Sequence, residues 1–278
     1  MHRLLVGLTV LLFTATCLQA TPTENGAIAI VPAPGDVAID GAVDDWDLSG
    51  GVFGCDNVEK QRDVAAVWVH MMYDAEQLYI LARYNDPTPL QHHRTKAGGQ
   101  GYQDDCLQVR MILDRTLHIT AWQDAESVPV MDIYYGTFSK NGKEGAEPDA
   151  LAAGAKMAFQ RHDDGAGYNQ EIAIPWKLLT RDGEPFTAGQ TCRVTYEGRF
   201  AKAWKVGGLY APNPDRIFTF RSTTSWGEGR FVETGPVDPK PVRLADGRSF
   251  DVAMVDGEPR IDWTGLVKRQ EMPGHIPI

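Results

Sequence analysis

Val67-Trp68-Val69-His70-Met71-Met72-Tyr73, then Asp74-Ala75-Glu76-Gln77, then Leu78-Tyr79-Ile80-Leu81-Ala82-Arg83-Tyr84: two apolar runs divided by four turn-forming residues. In the first run Val67, Val69, Met71 and Tyr73 share one side and Trp68, His70 and Met72 the other, the two-residue period of a strand. The second run follows at once, so the pair reads as a β-hairpin. Outward from it the same period recurs. Over 105 to 113, Leu107, Val109, Met111 and Leu113 face one way and Cys106, Gln108, Arg110 and Ile112 the other, with the Gln and Arg marking the wetter face. Further strands are expected at 116–122, 130–135, 157–161, 168–174, 192–200 and 218–221.

Helical periodicity is scarce. Pro175-Trp176-Lys177-Leu178-Leu179 starts with the residue favoured at a first helical position and stops at Asp182-Gly183, which leaves room for one or two turns. A further turn is expected at 151–155. Many short strands with turns between them predict an all-β chain, an antiparallel β-sandwich of immunoglobulin or jelly-roll kind, over residues 21–236. Three prolines in 236–241 read as a linker or an edge-hugging segment. Residues 237–278 form a C-terminal extension, with a hairpin expected around Asp256-Gly257-Glu258-Pro259 and a Pro-rich, mobile tail from Met272.

The 278 residues are 43% hydrophobic and 23% charged, enough apolar material for a sizeable core. With 27 basic against 37 acidic residues the net charge is −10, which argues against nucleic acid as a partner. Arg3, the apolar run from Leu4 to Phe13 and Leu18-Gln19-Ala20 make a signal peptide over residues 1–20, cleaved after Ala20. The run is too short to span a membrane. A lipid anchor on Cys17 is disfavoured, because Thr14-Ala15-Thr16 lacks the small residue and Leu of a lipoprotein site. The expectation is therefore a periplasmic or extracellular protein. Of the remaining cysteines, Cys55, Cys106 and Cys192, export permits one disulfide with one thiol left over, and the spacing chooses no pair.

Four segments in order resemble the family 9 carbohydrate-binding modules and the wider DOMON-like sandwiches: Ile39-Asp40-Gly41-Ala42-Val43-Asp44-Asp45-Trp46; the hairpin ending in Asn85-Asp86-Pro87; Tyr102-Gln103-Asp104-Asp105-Cys106-Leu107-Gln108-Val109; and Tyr168-Asn169-Gln170-Glu171-Ile172-Ala173-Ile174-Pro175-Trp176. They cover about residues 36 to 200. The resemblance implies a non-catalytic sugar binder, in the manner of an accessory module to glycoside hydrolases, with no cofactor required. Stacking suits a pyranose because its axial C–H face is apolar while its hydroxyls need fixed partners. On this resemblance Tyr102 is a stacking residue, and Gln108 stands where the family places a carboxylate. Arg110 shares its strand face. Trp226, read as borne on the loop Ser225-Trp226-Gly227-Glu228-Gly229, is the second stacking candidate by region, and Trp204 the next. Trp46 and Trp176 read as core plugs.

Asp40, Asp44, Asp45 and Asp47 offer hard oxygen ligands for a structural calcium ion, although their spacing is not that of an EF-hand. Asp104-Asp105 does not make a catalytic pair, since neighbours entering a strand face opposite ways. No hydrolase elbow, zinc helix or phosphate loop is present. Two other readings remain. The end of the hairpin, Tyr84-Asn85-Asp86-Pro87-Thr88-Pro89, also resembles the non-covalent haem b domains related to the γ subunit of ethylbenzene dehydrogenase, whose axial ligands would come from His92, His93, Met111, His118 and Met131. The chain could instead be an accessory module that joins other exported proteins.

Overall fold

The computed structural model describes residues 20–137, 142–201, 204–211 and 222–266. The 67–84 region forms the expected hairpin, β3 (Ala66–Tyr73) and β4 (Gln77–Asn85), with Asp74 Oδ1 accepting the backbone N–H of Glu76 and Gln77 at its turn. Before it come β1 (Ala27–Pro32), β2 (Val52–Cys55) and one helical turn, α1 (Val58–Gln61). After it come β5 (Cys106–Ile112), β6 (Thr116–Gln123), β7 (Pro129–Gly136), β8 (Lys143–Glu147), β9 (Lys156–Arg161) and β10 (Gly167–Pro175). Next are the short α2 (Trp176–Leu179), β11 (Thr191–Phe200), β12 (Trp204–Gly207) and β13 (Gly227–Phe231). The chain ends in two small ribbons, β14 (Val242–Arg243) with β15 (Ser249–Phe250) and β16 (Val252–Val255) with β17 (Glu258–Ile261).

Hydrogen bonds link the strands in the order β8-β7-β6-β5-β11-β13-β1-β3-β4-β10-β9, with β12 beside β11 and β2 beside β3. A twisted sheet of this width curls over on itself rather than staying open. Its two halves close on one core. Leu107, Val109, Met111, Ile119 and Val194 from one half meet Val67, Val69, Ile80, Ala82 and Ile172 from the other. The sandwich is as expected, but the seam between its halves is not antiparallel. β1, which alternation of small and branched residues conceals, runs parallel to both β13 and β3.

The half containing β1, β3, β4 and β10 is covered on its outer side too. Trp46 and Leu48 from the 33–50 segment pack on Met72, Tyr79 and Leu81, while Val242, Leu244 and Phe250 pack on Phe53 and Ala66. Thus the second face of β3, with His70 and Met72, is interior. The C-terminal hairpin is held by an ion pair from Arg83 Nη2 to Glu258 Oε2 at 2.6 Å, and the Arg62 guanidinium lies over Trp263. The Pro-rich segment hugs the sheet: the Val237 N–H donates to Ser49 Oγ at 2.8 Å.

The four segments behind the family resemblance meet in pairs. Buried Glu171 accepts the indole N–H of Trp46 at 2.7 Å and the backbone N–H of Asp40 and Gly41 at 2.9 and 2.8 Å, pinning the first segment to the fourth. Tyr84 of the hairpin stacks on Tyr168, 4.5 Å between centroids, and donates to the Cys106 carbonyl. Asp105 is hydrogen-bonded to the carboxyl of Asp86 while accepting the N–H of Gln91 and Ala201. Burial and the Asp86 charge push its pKa up to about 7.

Cys55, Cys106 and Cys192 are free, buried thiols on β2, β5 and β11, so the disulfide that export would permit does not form among them. Burial pushes the thiols of Cys55 and Cys192 up to about 12, and Cys106 is also raised. The strand expected at 218–221, the signal peptide with Cys17, and the tail from Met272 lie outside the described residues.

Candidate functional site

The outer face of β5, β6, β7 and β11 is covered at both ends, by the Gly101–Gln103 turn over Trp122 and by Trp226 over His118, and is partly open in the row between them. Register sets its rows: Glu197, Gln108, Thr120 and Asp132 stand side by side on β11, β5, β6 and β7, and Thr195, Arg110, His118 and Tyr134 form the next row. In the first row, the Arg110 guanidinium donates to Gln108 Oε1 at 2.8 Å, and the Gln108 amide donates to Thr120 Oγ1 at 3.5 Å. Thr120 in turn is hydrogen-bonded to Asp132. The result is a polar ladder across three strands. Its members Gln108, Thr120 and Asp132 are half-buried and reachable from solvent.

Electrostatics differ sharply along this face. Burial pushes the Asp132 carboxyl up to about 6, with the Thr120 hydrogen bond opposing it. Burial and the neighbouring Arg110 charge bring His118 down to about 3, so its imidazole is neutral at physiological pH. Arg110 is itself lowered by burial, and Glu197 counteracts this. Contrary to the wetter face read from its strand, Arg110 is only 5% exposed. A Tyr134 ring carries the Lys143 ammonium over it at 5.3 Å.

At one end of the face sits Tyr102, on a single 3-10 turn, Gly101–Gln103, and 47% exposed. Gly101 lies flat against the Trp122 indole, where a Cβ would come within 2.3 Å of the ring, so the turn needs glycine to hold Tyr102 there. At the other end Trp226 meets His118. Trp226 is not loop-borne. It immediately precedes β13 and is 1% exposed, so it packs rather than offering a free ring face. Gly227 and Gly229 misled the loop reading: they are strand residues that let Gly26 O and Cys192 Sγ approach closely. Trp204 opens β12 opposite Phe200, and its side chain lies outside the described residues.

Beyond Trp226 the same face opens into a cleft of about 820 Å³, walled by Arg193, Arg230, Lys240 and Arg243. It was invisible in the sequence because its four cations come from three separate stretches of the chain, around 193, 230 and 240–243. Asp132, Thr120 and Tyr134 were missed as site residues as well. Their signal was the polar alternation in 116–122 and 130–135, which becomes a ladder only once the register is known.

The haem candidates do not converge. Met111 and Met131 point into the main core, His118 lies on the opposite face, and His93 is exposed beside Asp104. His92 stacks on Trp122, with its nitrogens at the Arg94 and Gly101 carbonyls. Of the calcium candidates Asp40, Asp44, Asp45 and Asp47, three make turn hydrogen bonds: Asp40 accepts the Ala42 N–H, Asp45 that of Ala38 and Asp47 that of Ser49. Among the described residues no three His, Cys, Asp or Glu side chains are grouped as metal ligands, and no helix is long and apolar enough to cross a membrane.

No family model and no curated protein matches the sequence. Among solved structures, the chain is similar to a protein from Bacteroides uniformis provisionally named carbohydrate-binding, with a TM-score of 0.55 and 11% identity over 75% of this chain and 99% of that one. At such identity the likeness concerns the fold.

Proposed function

We propose that this chain is an exported, non-catalytic carbohydrate-binding protein whose ligand lies on the outer face of β5, β6 and β7. The observation that carries the reading is the half-buried ladder Gln108, Thr120 and Asp132, with exposed Tyr102 on the turn over Trp122, in the next row of the same face. Amide, hydroxyl and carboxylate side by side supply the mixed donors and acceptors that sugar hydroxyls require, and Tyr102 supplies an apolar ring for a C–H face. The fold shared with a protein provisionally named carbohydrate-binding agrees with this reading, as does the resemblance to family 9 modules.

The same row argues against glycoside hydrolysis. Its two carboxylates, Glu197 and Asp132, are three strand spacings apart. At about 4.8 Å per spacing that is roughly 14 Å, beyond the roughly 5–9.5 Å across which a catalytic pair works. Glu197 is also engaged by Arg199 at 2.8 Å. A glycan-array screen of the mature chain tests the reading. Retention of one glycan class by the parent, and its loss in Gln108→Ala, is the expected result; retention that survives this substitution would place the ligand elsewhere.

A further inference from the structure

Although acidic residues outnumber basic ones by ten in the whole chain, the cleft beyond Trp226 gathers Arg193, Arg230, Lys240 and Arg243 against only Glu24 and Glu228. Two of the four cations are already committed. Arg193 donates to the Thr223 and Thr224 carbonyls, which fixes its guanidinium, and Arg230 pairs with Glu228. The charged ends of Lys240 and Arg243 make no hydrogen bond or ion pair among the described residues. Lys240 is further pressed by its surroundings, since partial burial and the charge of Arg230 lower its pKa. An anion in the cleft would relieve that repulsion.

The cleft lies along β5 from the ladder, on the far side of Trp226. Ile112, its neighbour Arg193 and Trp226 line it, and Ile112 is the next outer-facing residue of β5 after Gln108 and Arg110. A chain molecule laid along β5, from Gln108 to Ile112 four residues or about 13 Å away, reaches both. We propose that the ligand is an anionic glycan, whose carboxylate or sulfate group sits between Lys240 and Arg243 at the rim of this cleft. The inference rests on the proposed function and adds the charge class of the ligand. Cationic side chains donating to an anionic group form stronger hydrogen bonds than neutral pairs, and the field of several cations in a cleft concentrates such ligands.

The test uses the mature chain in calorimetric titrations with three probes: a neutral oligosaccharide, an oligogalacturonate and a sulfated galactan oligosaccharide, each at low and high salt. Tighter binding of one or both charged probes, weakening as salt rises, is expected. The charged probe that binds tells carboxylate from sulfate. Lys240→Gln/Arg243→Gln should weaken the charged probe at least tenfold and leave any neutral binding unchanged, with an unaltered melting temperature because both side chains are exposed. Neutral probes bound as well as charged ones would overturn this inference alone. Charged probes that bind the double variant as tightly as the parent would do the same. Absence of binding to all three would overturn it together with the proposed function.

Discussion

The indole of Trp226 meets the imidazole of His118 edge-on, with 5.7 Å between ring centroids and 82° between planes. An aromatic at the start of β13 thereby covers a neutral histidine on β6, and divides the polar ladder from the cationic cleft. The pair explains why a residue expected to stack on ligand is a structural element instead.

Trp226→Ala should destabilise the protein by about 3–5 kcal/mol, the range for truncating a buried Trp. Thermal or urea denaturation reads this directly. Stability equal to the parent would mean the indole is not packed as described.

Tyr102→Ala should behave in the opposite way. Its side chain is largely exposed on a one-turn element, so the melting temperature should be unchanged while affinity for the glycan found by array falls roughly tenfold, about 1.4 kcal/mol. A large loss of stability would assign Tyr102 to packing.

Glu171→Gln should cost about 2–4 kcal/mol, because the amide presents a donor where the carboxylate accepts three N–H groups in a buried site. Far-UV circular dichroism should keep its β signature, since the sheet does not depend on this clasp. A neutral effect on the urea midpoint would contradict the role given to Glu171.

Two opposed pH dependences are built into the fold. His70 and His118 are held down to about 3 by burial, then by the nearby Arg83 and Arg110 charges. Their unfolded forms take up protons from about pH 6.5 downward, so the stability they contribute is present above that and is lost as pH falls toward 3. Asp105, raised to about 7, works in reverse. The folded state keeps a proton that the unfolded chain releases near pH 4, so this contribution is full below about 4 and is lost as pH rises through 7. Asp86→Asn gives Asp105 an N–H partner in place of a carboxyl, and should make the decline from pH 4 to 7 shallower, the part due to burial of Asp105 and Asp132 remaining, while leaving the histidine-driven acid limb. An unchanged stability profile across pH 4–8 would count against the carboxyl pair.

Much of the fold was legible because alternation is a local property. The hairpin of β3 and β4, and the strands β5 to β7, β10 and β11, follow from side chains two residues apart. β1 escaped because Ala27 and Ala29 give weak contrast with Ile28 and Ile30, and β13 escaped because its glycines serve close packing rather than a turn. The site was less legible. Gln108 and Tyr102 came from the family resemblance, but Thr120 and Asp132 join them only through cross-strand register, and Lys240 and Arg243 approach Arg193 and Arg230 from a segment some ten to fifty residues away in sequence. Arg110 looked like a surface residue because alternation does not report what covers a face.

The most direct test is titration calorimetry of the parent and of Asp132→Asn with the glycan retained on the array, at pH 7.5 and pH 5. Asp132 is half-buried with its pKa raised to about 6, so as a carboxylate it accepts charge-assisted hydroxyl hydrogen bonds at the higher pH and, protonated, only weaker neutral ones at the lower. The account predicts that the parent binds more weakly at pH 5, and that Asp132→Asn binds at least tenfold more weakly than the parent at pH 7.5, with little further change at pH 5 and a melting temperature at pH 7.5 no lower than the parent's, since the buried charge is removed. Equal affinities for parent and variant at both pH values would contradict the ladder as the binding site.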